Sequence, residues 1–88
     1  MAEYIWETVD EINLALAKRV KEIRKRRKIT QKELAKRANV SYGSLKAFEQ
    51  TGNISLKSLT KIAMELDLTQ EIRDLFTDVP YRSLDEIP

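Results

Sequence analysis

Five Ser or Thr residues in this chain stand where an α-helix would begin, and two of them form a complete capping box. The boxes are Thr8-Val9-Asp10-Glu11 and Thr30-Gln31-Lys32-Glu33. In such a box the Thr hydroxyl and the Glu carboxylate satisfy backbone N–H groups that the first helical turn leaves free. Each box therefore predicts a helix start, and the apolar spacing that follows indicates how far each helix runs.

The first two helices follow from these boxes. After the first box, apolar residues recur at helical spacing, which predicts a long helix over residues 9–28 with Ile12, Leu16, Val20 and Ile23 facing inward. The second box predicts a short helix that ends at about residue 38, because the next residue is Asn39. Asparagine tolerates the left-handed backbone conformation at which helices stop.

Three further helices are predicted after that turn. Ser41 caps a third helix that Thr51-Gly52 ends, and Ser55 caps a fourth helix that ends near Asp67. Thr69 is predicted to cap a fifth helix, and Pro80 prevents that helix from continuing further. The expected inward residues of the last two helices are Leu56, Leu59, Ile62, Ala63 and Leu66, then Ile72, Leu75 and Phe76. Because no segment has strand periodicity, the fold class expected is all-α with five helices.

Several kinds of chemistry are absent from the composition. The chain has no cysteine and no histidine, so Cys/His zinc sites, Cys nucleophiles and Ser-His-Asp triads are excluded. The acidic residues have no spacing typical of a catalytic pair or a metal site, and we expect no enzyme activity, no cofactor and no metal. Uncharged runs are at most eight residues long, and the first residues are acidic, which favours a cytoplasmic protein without a membrane segment.

The charges are strongly divided along the chain, although the net charge is only +2. Residues 1–17 carry four acids and no base, and residues 38–88 carry eight acids and five bases. Residues 18–37 carry eleven Lys or Arg against Glu22 and Glu33, a net charge of +9. This basic block could be an ordinary solvated helix face, but next to the second helix it favours attraction of phosphate groups.

The connection between the second and third helices demands particular residues. Two helices that meet across a turn of three to four residues need a small residue at their contact, a turn former and two buried apolar side chains. Ala35, Asn39, Val40 and Leu45 fulfil these requirements. The segment from residue 30 to residue 52 therefore has the plan of a helix-turn-helix.

The stretch from Val20 to Leu68 resembles the Cro and phage-repressor family of helix-turn-helix domains, the Xre type. The resemblance rests on TQKELAKRANVS, SLKAFEQTG and ISLKSLTKIAMELDL. It implies a lambda-repressor-like fold and a sequence-specific transcriptional regulator that binds double-stranded DNA as a homodimer. The whole chain, residues 1–88, is then one domain with its core motif at about 20–68.

The resemblance also implies which residues meet DNA. In the family the third helix lies in the major groove, and the start of the second lies on the sugar-phosphate backbone. The residues expected to contact DNA come from positions that match the family's contacts and from the basic block. They are Gln31, Lys32, Tyr42, Gly43, Ser44, Lys46, Ala47, Asn53, Ser55, Lys57 and Arg24. Arg24 and Glu49 match a partly buried ion pair that holds the third helix. Gly43 and Ala47 depart from the family, which often has long polar side chains there.

Two alternatives stay open. The same fold could serve as a protein-interaction module with weak or no specific DNA binding, since Gly43 and Ala47 cannot hydrogen-bond a base edge. More weakly, the ending LFTDVPYRSLDEIP is similar to that of HipB-like antitoxins, which implies a toxin partner and repression of an operon. Apolar residues in the flanks 1–10 and 79–88 could contact a second subunit or a partner protein, or pack on the domain itself.

Overall fold

The chain folds as five α-helices in a computed structural model that describes residues 7–78. The helices are α1 (Val9–Arg26), α2 (Gln31–Ala38), α3 (Tyr42–Thr51), α4 (Leu56–Glu65) and α5 (Thr69–Arg73). Within the described range no strand forms, so the all-α prediction is confirmed. None of these helices is long and apolar enough to cross a membrane.

The predicted helix starts are confirmed at four of the five helices. Both capping boxes form, with Glu11 N donating to Thr8 Oγ1 at 3.0 Å and Glu33 N donating to Thr30 Oγ1 at 3.1 Å. Ser41 and Ser55 cap α3 and α4 by accepting from Ser44 N and Ser58 N. Local hydrogen bonding at the chain's own hydroxyl residues therefore sets these boundaries.

Left-handed residues end the helices of the motif. Asn39 (φ 58°) caps α2 as predicted. Val40 N then donates to Ala35 O at 3.0 Å, and this hydrogen bond closes the turn onto Ala35, the small residue predicted where α2 and α3 meet. Gly52 (φ 83°) caps α3. A Cβ at position 52 would lie 2.7 Å from the backbone of Asn13 and Leu14, so only glycine lets α3 approach α1 this closely.

The core is built where α1, α2, α3 and α4 meet. Its largest fully buried side chains are Phe48, Leu34, Leu45, Ile62 and Leu66. α3 packs against α1 and α2, α4 packs against α2, and α5 packs against α4. Because α3 contributes two of those side chains, its opposite side is free to face solvent.

The sequence predictions for two core residues, Ile12 and Leu56, are wrong. The inward face of α1 is centred on Ala17, Val20 and Arg24, while Ile12 is 52% exposed. The other three residues expected to face inward, Leu16, Val20 and Ile23, do contribute to the core. Leu56 is 70% exposed, because it occupies the first turn of α4, before the helix reaches the core.

The fifth helix is shorter and starts differently than predicted. Leu68 is its N-cap and makes no side-chain cap, and Thr69 is already helical. The helix ends at Arg73, and Phe76 (φ 62°) follows it in a left-handed turn with 90% of its surface exposed. Leu75 and Phe76 therefore do not extend a buried helical face. α1 also ends at Arg26, before the left-handed Lys28, rather than at residue 28.

Candidate nucleic-acid interface

The placement of α3 depends on an ion pair with α1. Arg24 Nε donates to Glu49 Oε2 at 2.7 Å, and the Arg24 Nη2 group donates to Glu49 Oε1 at 2.9 Å. The third guanidinium nitrogen, Nη1, donates to the carbonyl of Ile29 at 2.8 Å. Both residues are buried, so the pair predicted from the sequence is present and its donors have partners.

Glu49 is held in its charged form by this environment. Burial raises the pKa of the carboxyl, but the hydrogen bonds from Arg24 and Gln31, with the charges of Arg24 and Lys21, lower it by more. The pKa of Glu49 consequently lies below the ordinary glutamate range. No described buried side-chain nitrogen or oxygen lacks a hydrogen-bond partner.

Gln31 joins the same network at the first turn of α2. Its Nε2 donates to Glu49 Oε1 at 2.8 Å, which leaves the second amide hydrogen available. The side chain is half-buried, and it stands beside the backbone N–H groups that open the helix. The structure thus connects the residue expected to bind phosphate with the ion pair that positions α3, a link that the sequence did not predict.

The first turns of α3 carry the predicted major-groove residues on an exposed surface. Tyr42, Gly43, Ser44, Lys46 and Ala47 are all exposed, while Leu45 and Phe48 of the same helix are buried. An added Cβ at Gly43 would meet no atom within 4 Å. This surface is therefore open, and a macromolecule could reach it.

Two lysines lie near the ring of Tyr42. The Nζ atom of Lys32 in α2 is 5.5 Å from the ring centroid, and that of Lys46 in α3 is 5.9 Å away. Sequence reasoning missed this cluster, although the separation of Tyr42 and Lys46 by one helical turn was a visible signal. The contribution of Lys32 depends on the angle between α2 and α3, which no local pattern specifies.

The remaining predicted residues lie around the end of α3 and the start of α4. Asn53 N donates to Thr51 Oγ1 at 3.1 Å, and both Asn53 and Lys57 are exposed. Ser55 is also exposed, but its hydroxyl oxygen accepts the capping bond of α4. The side chains of Asn53 and Lys57 are therefore accessible to an external ligand.

Arg24 requires a different role from the one expected of it. It was grouped with the DNA contacts, yet its side chain is 9% exposed and all three guanidinium nitrogens are engaged inside the domain. A side chain held in this way does not extend to an external ligand. We therefore treat Arg24 as a positioning residue for α3.

A second surface feature lies away from these residues. An apolar groove of about 230 Å³ lies between α1 and α4–α5, with Arg19 and Glu71 as its charged lining residues. Its apolar lining includes Leu16, Leu59, Leu68, Ile72 and Leu75. Within residues 7–78, no group of three or more acidic residues is arranged to hold a metal ion.

The comparisons with known proteins agree with this geometry. The sequence matches a family model described as helix-turn-helix over residues 20–71, which is more than half of the chain. No curated protein matches the chain. With α2, α3 and their left-handed turn at the centre of the matched range, the chain belongs to the Cro/C1-type helix-turn-helix family, a family of DNA-binding regulators.

Proposed function

We propose that this protein is a sequence-specific transcriptional repressor that binds duplex DNA as a homodimer. The observation that carries the proposal is the exposed outer side of α3. The buried ion pair of Arg24 and Glu49 holds this helix in place, and Lys32 and Lys46 lie beside its exposed Tyr42. An exposed helix that is held in place and lies beside two lysines suits insertion into the major groove. Occupying an operator in this way blocks transcription without any further domain.

Phosphate binding is proposed for the start of α2 and the nearby lysines. Gln31 retains a free amide hydrogen, and the first backbone N–H groups of α2 add the positive end of the helix dipole. The basic residues 18–37, at net charge +9, supply attraction that does not depend on base sequence. These contacts would orient the protein on the duplex and leave base recognition to α3.

Titration of binding against salt tests this proposal. Each phosphate neutralised contributes about −0.9 to the slope of log K against log salt concentration, so several contacts give a steep slope. Gln31→Ala should weaken binding to all duplexes by a similar factor. An affinity that stays flat from low to physiological salt would exclude the phosphate contacts.

The homodimer is proposed from exposed apolar residues near both ends of the described range. Val9 is 72% exposed, Ile12 52%, Leu75 51% and Phe76 90%, and Leu75 also lines the apolar groove. A contact with a second copy would cover these surfaces and could set two α3 helices about 34 Å apart, one turn of B-DNA. The expected flanking contacts at Tyr4, Ile5, Trp6 and residues 79–88 lie outside the described residues.

Light scattering on the full-length chain checks the dimer. Phe76→Ser should shift the mass in solution toward one chain and lower operator affinity, while Met64→Ser, at another exposed position, should change neither. A Phe76→Ser protein with the parent's mass and affinity would remove Phe76 from the subunit contact. The antitoxin role stays a prediction from the sequence, because the segment from residue 79 onward lies outside the described range.

A further inference from the structure

The aromatic ring of Tyr42 holds a defined position at the exposed start of α3. Two lysines lie close to this ring, Lys32 of α2 and Lys46 of α3. Their Nζ atoms are 5.5 and 5.9 Å from the ring centroid. Ammonium groups at this distance are attracted to the negative face of the ring. Tyr42 is nevertheless 40% exposed, so part of the residue remains available for contact.

The neighbours of Tyr42 on α3 offer few polar atoms to a ligand. Gly43 has no side chain, and open space surrounds it. Ala47 ends in a methyl group. The hydroxyl oxygen of Ser44 accepts a hydrogen bond from Ser41 Oγ at 2.8 Å, which leaves its own hydrogen as the one polar donor among these neighbours. The first two turns of α3 therefore present an aromatic ring, aliphatic carbon, one serine hydroxyl and the charge of Lys46, with Lys32 of α2 close by.

Only one base presents an apolar group in the major groove of DNA. Thymine carries a C5 methyl group there, whereas the other base edges present hydrogen-bond donors and acceptors. We propose that Tyr42 is the specificity-determining residue of α3 and that its ring packs on the C5 methyl group of a thymine. This inference rests on the proposed DNA-binding function and names the chemical group that the site recognises.

The residues around Tyr42 have separate roles in this contact. Lys32 and Lys46 restrain the ring and attract phosphate oxygens on any sequence, which gives affinity rather than selectivity. Gly43 removes the side chain that would otherwise separate the start of α3 from the base edges. Selectivity then resides in the fit between the ring and one methyl group.

Replacing thymine by deoxyuridine tests the contact, because the exchange removes only the methyl group. The probe is a duplex selected by the full-length protein from random sequences, with one thymine at a time replaced in one half-site. The affinity of each duplex is measured by fluorescence anisotropy at a fixed salt concentration. The parent protein should lose about fourfold in affinity at one thymine of the half-site, the factor expected for burial of one methyl group.

Three variants identify the residue responsible. Tyr42→Ala should bind the thymine and deoxyuridine duplexes equally, and Tyr42→Phe should keep the parent's ratio because the ring is intact. Lys57→Ala, which changes an exposed charge at the start of α4, should weaken binding to both duplexes by the same factor. Circular dichroism confirms that each variant is folded.

The outcomes separate this inference from the proposed function. If the parent binds selected DNA but tolerates deoxyuridine at every position, or selects half-sites without thymine, methyl recognition is wrong and DNA binding stands. A Tyr42→Ala protein that retains the parent's ratio, or a Tyr42→Phe protein that loses it, also overturns the inference. If the parent binds no duplex above background, both proposals fail.

Discussion

The side chains of Arg24 and Glu49 form a two-point ion pair, with Nε 2.7 Å from Oε2 and the Nη2 group 2.9 Å from Oε1, that ties α1 to the last turns of α3. The pair is buried, so each charge has lost its contacts with water on folding and is compensated by the opposite charge of its partner. Because Gln31 donates to the same carboxylate, the pair also aligns the start of α2 with α3. Its main role is to fix the orientation of the exposed helix.

Removing one partner of this pair should destabilise the fold. Arg24→Ala or Glu49→Ala leaves an unpaired buried charge, at a cost of about 3–5 kcal/mol in the free energy of unfolding. Lys25→Ala, at an exposed position next to Arg24, should change that free energy by less than about 0.5 kcal/mol. Urea denaturation measures all three. Single variants as stable as the parent would contradict the assigned role.

The stability conferred by Glu49 should depend on pH. Its pKa in the folded protein is lowered by its partners beyond what burial adds, so the folded state favours the charged form more than the unfolded state does. This stabilisation is present above the unfolded glutamate pKa of about 4.3 and is lost as the pH falls through the folded pKa. The difference in melting temperature between the parent and Glu49→Gln should therefore shrink from pH 6 to pH 3. A constant difference would show that the charge of Glu49 is not what stabilises the fold.

The two glycines should respond in opposite ways to the same substitution. Gly52→Ala forces a left-handed alanine, at about 1–2 kcal/mol, and pushes its Cβ into the backbone of Asn13 and Leu14. Gly43→Ala meets no neighbouring atom and should stabilise the protein by about 0.5–1 kcal/mol through improved helix propensity. Thermal unfolding of the pair measures both effects. Equal effects would contradict the close approach of α3 to α1.

Ala47 offers a position at which base preference should be alterable. Its side chain is exposed on the same helix as Tyr42, and a methyl group cannot hydrogen-bond a base. Ala47→Gln adds an amide that can pair with the edge of adenine, so the preferred base should change at one position of each half-site. Site selection with the variant and the parent compares the two profiles. Identical profiles would place Ala47 outside the interface.

Most of the motif could be predicted from the sequence because its boundaries are set locally. Thr8, Thr30, Ser41 and Ser55 form caps with residues three positions ahead, and Asn39 stops α2 through its own backbone preference. The pair of Arg24 and Glu49 was predicted from the resemblance to phage-repressor domains, because no local sequence signal relates two residues so distant in the chain. Local signals are therefore sufficient for the helices but not for contacts between them.

The features that the sequence did not reveal depend on how the helices cross. The proximity of Lys32 to Tyr42 and the bond from Gln31 to Glu49 both require the angle between α2 and α3. The exposure of Ile12 and Leu56 depends on where α1 and α4 leave the core. Apolar spacing identifies a helix face, but it does not say which part of that face another helix covers.

Selection of bound sites from random duplex DNA by the full-length protein tests the central claim most directly. A dimeric helix-turn-helix repressor should enrich a palindrome whose half-site centres lie about 10 base pairs apart, one turn of the double helix. This single result would establish both sequence-specific binding and two-fold symmetry. Absence of any enriched sequence would contradict the account and favour a protein-interaction module on the same fold.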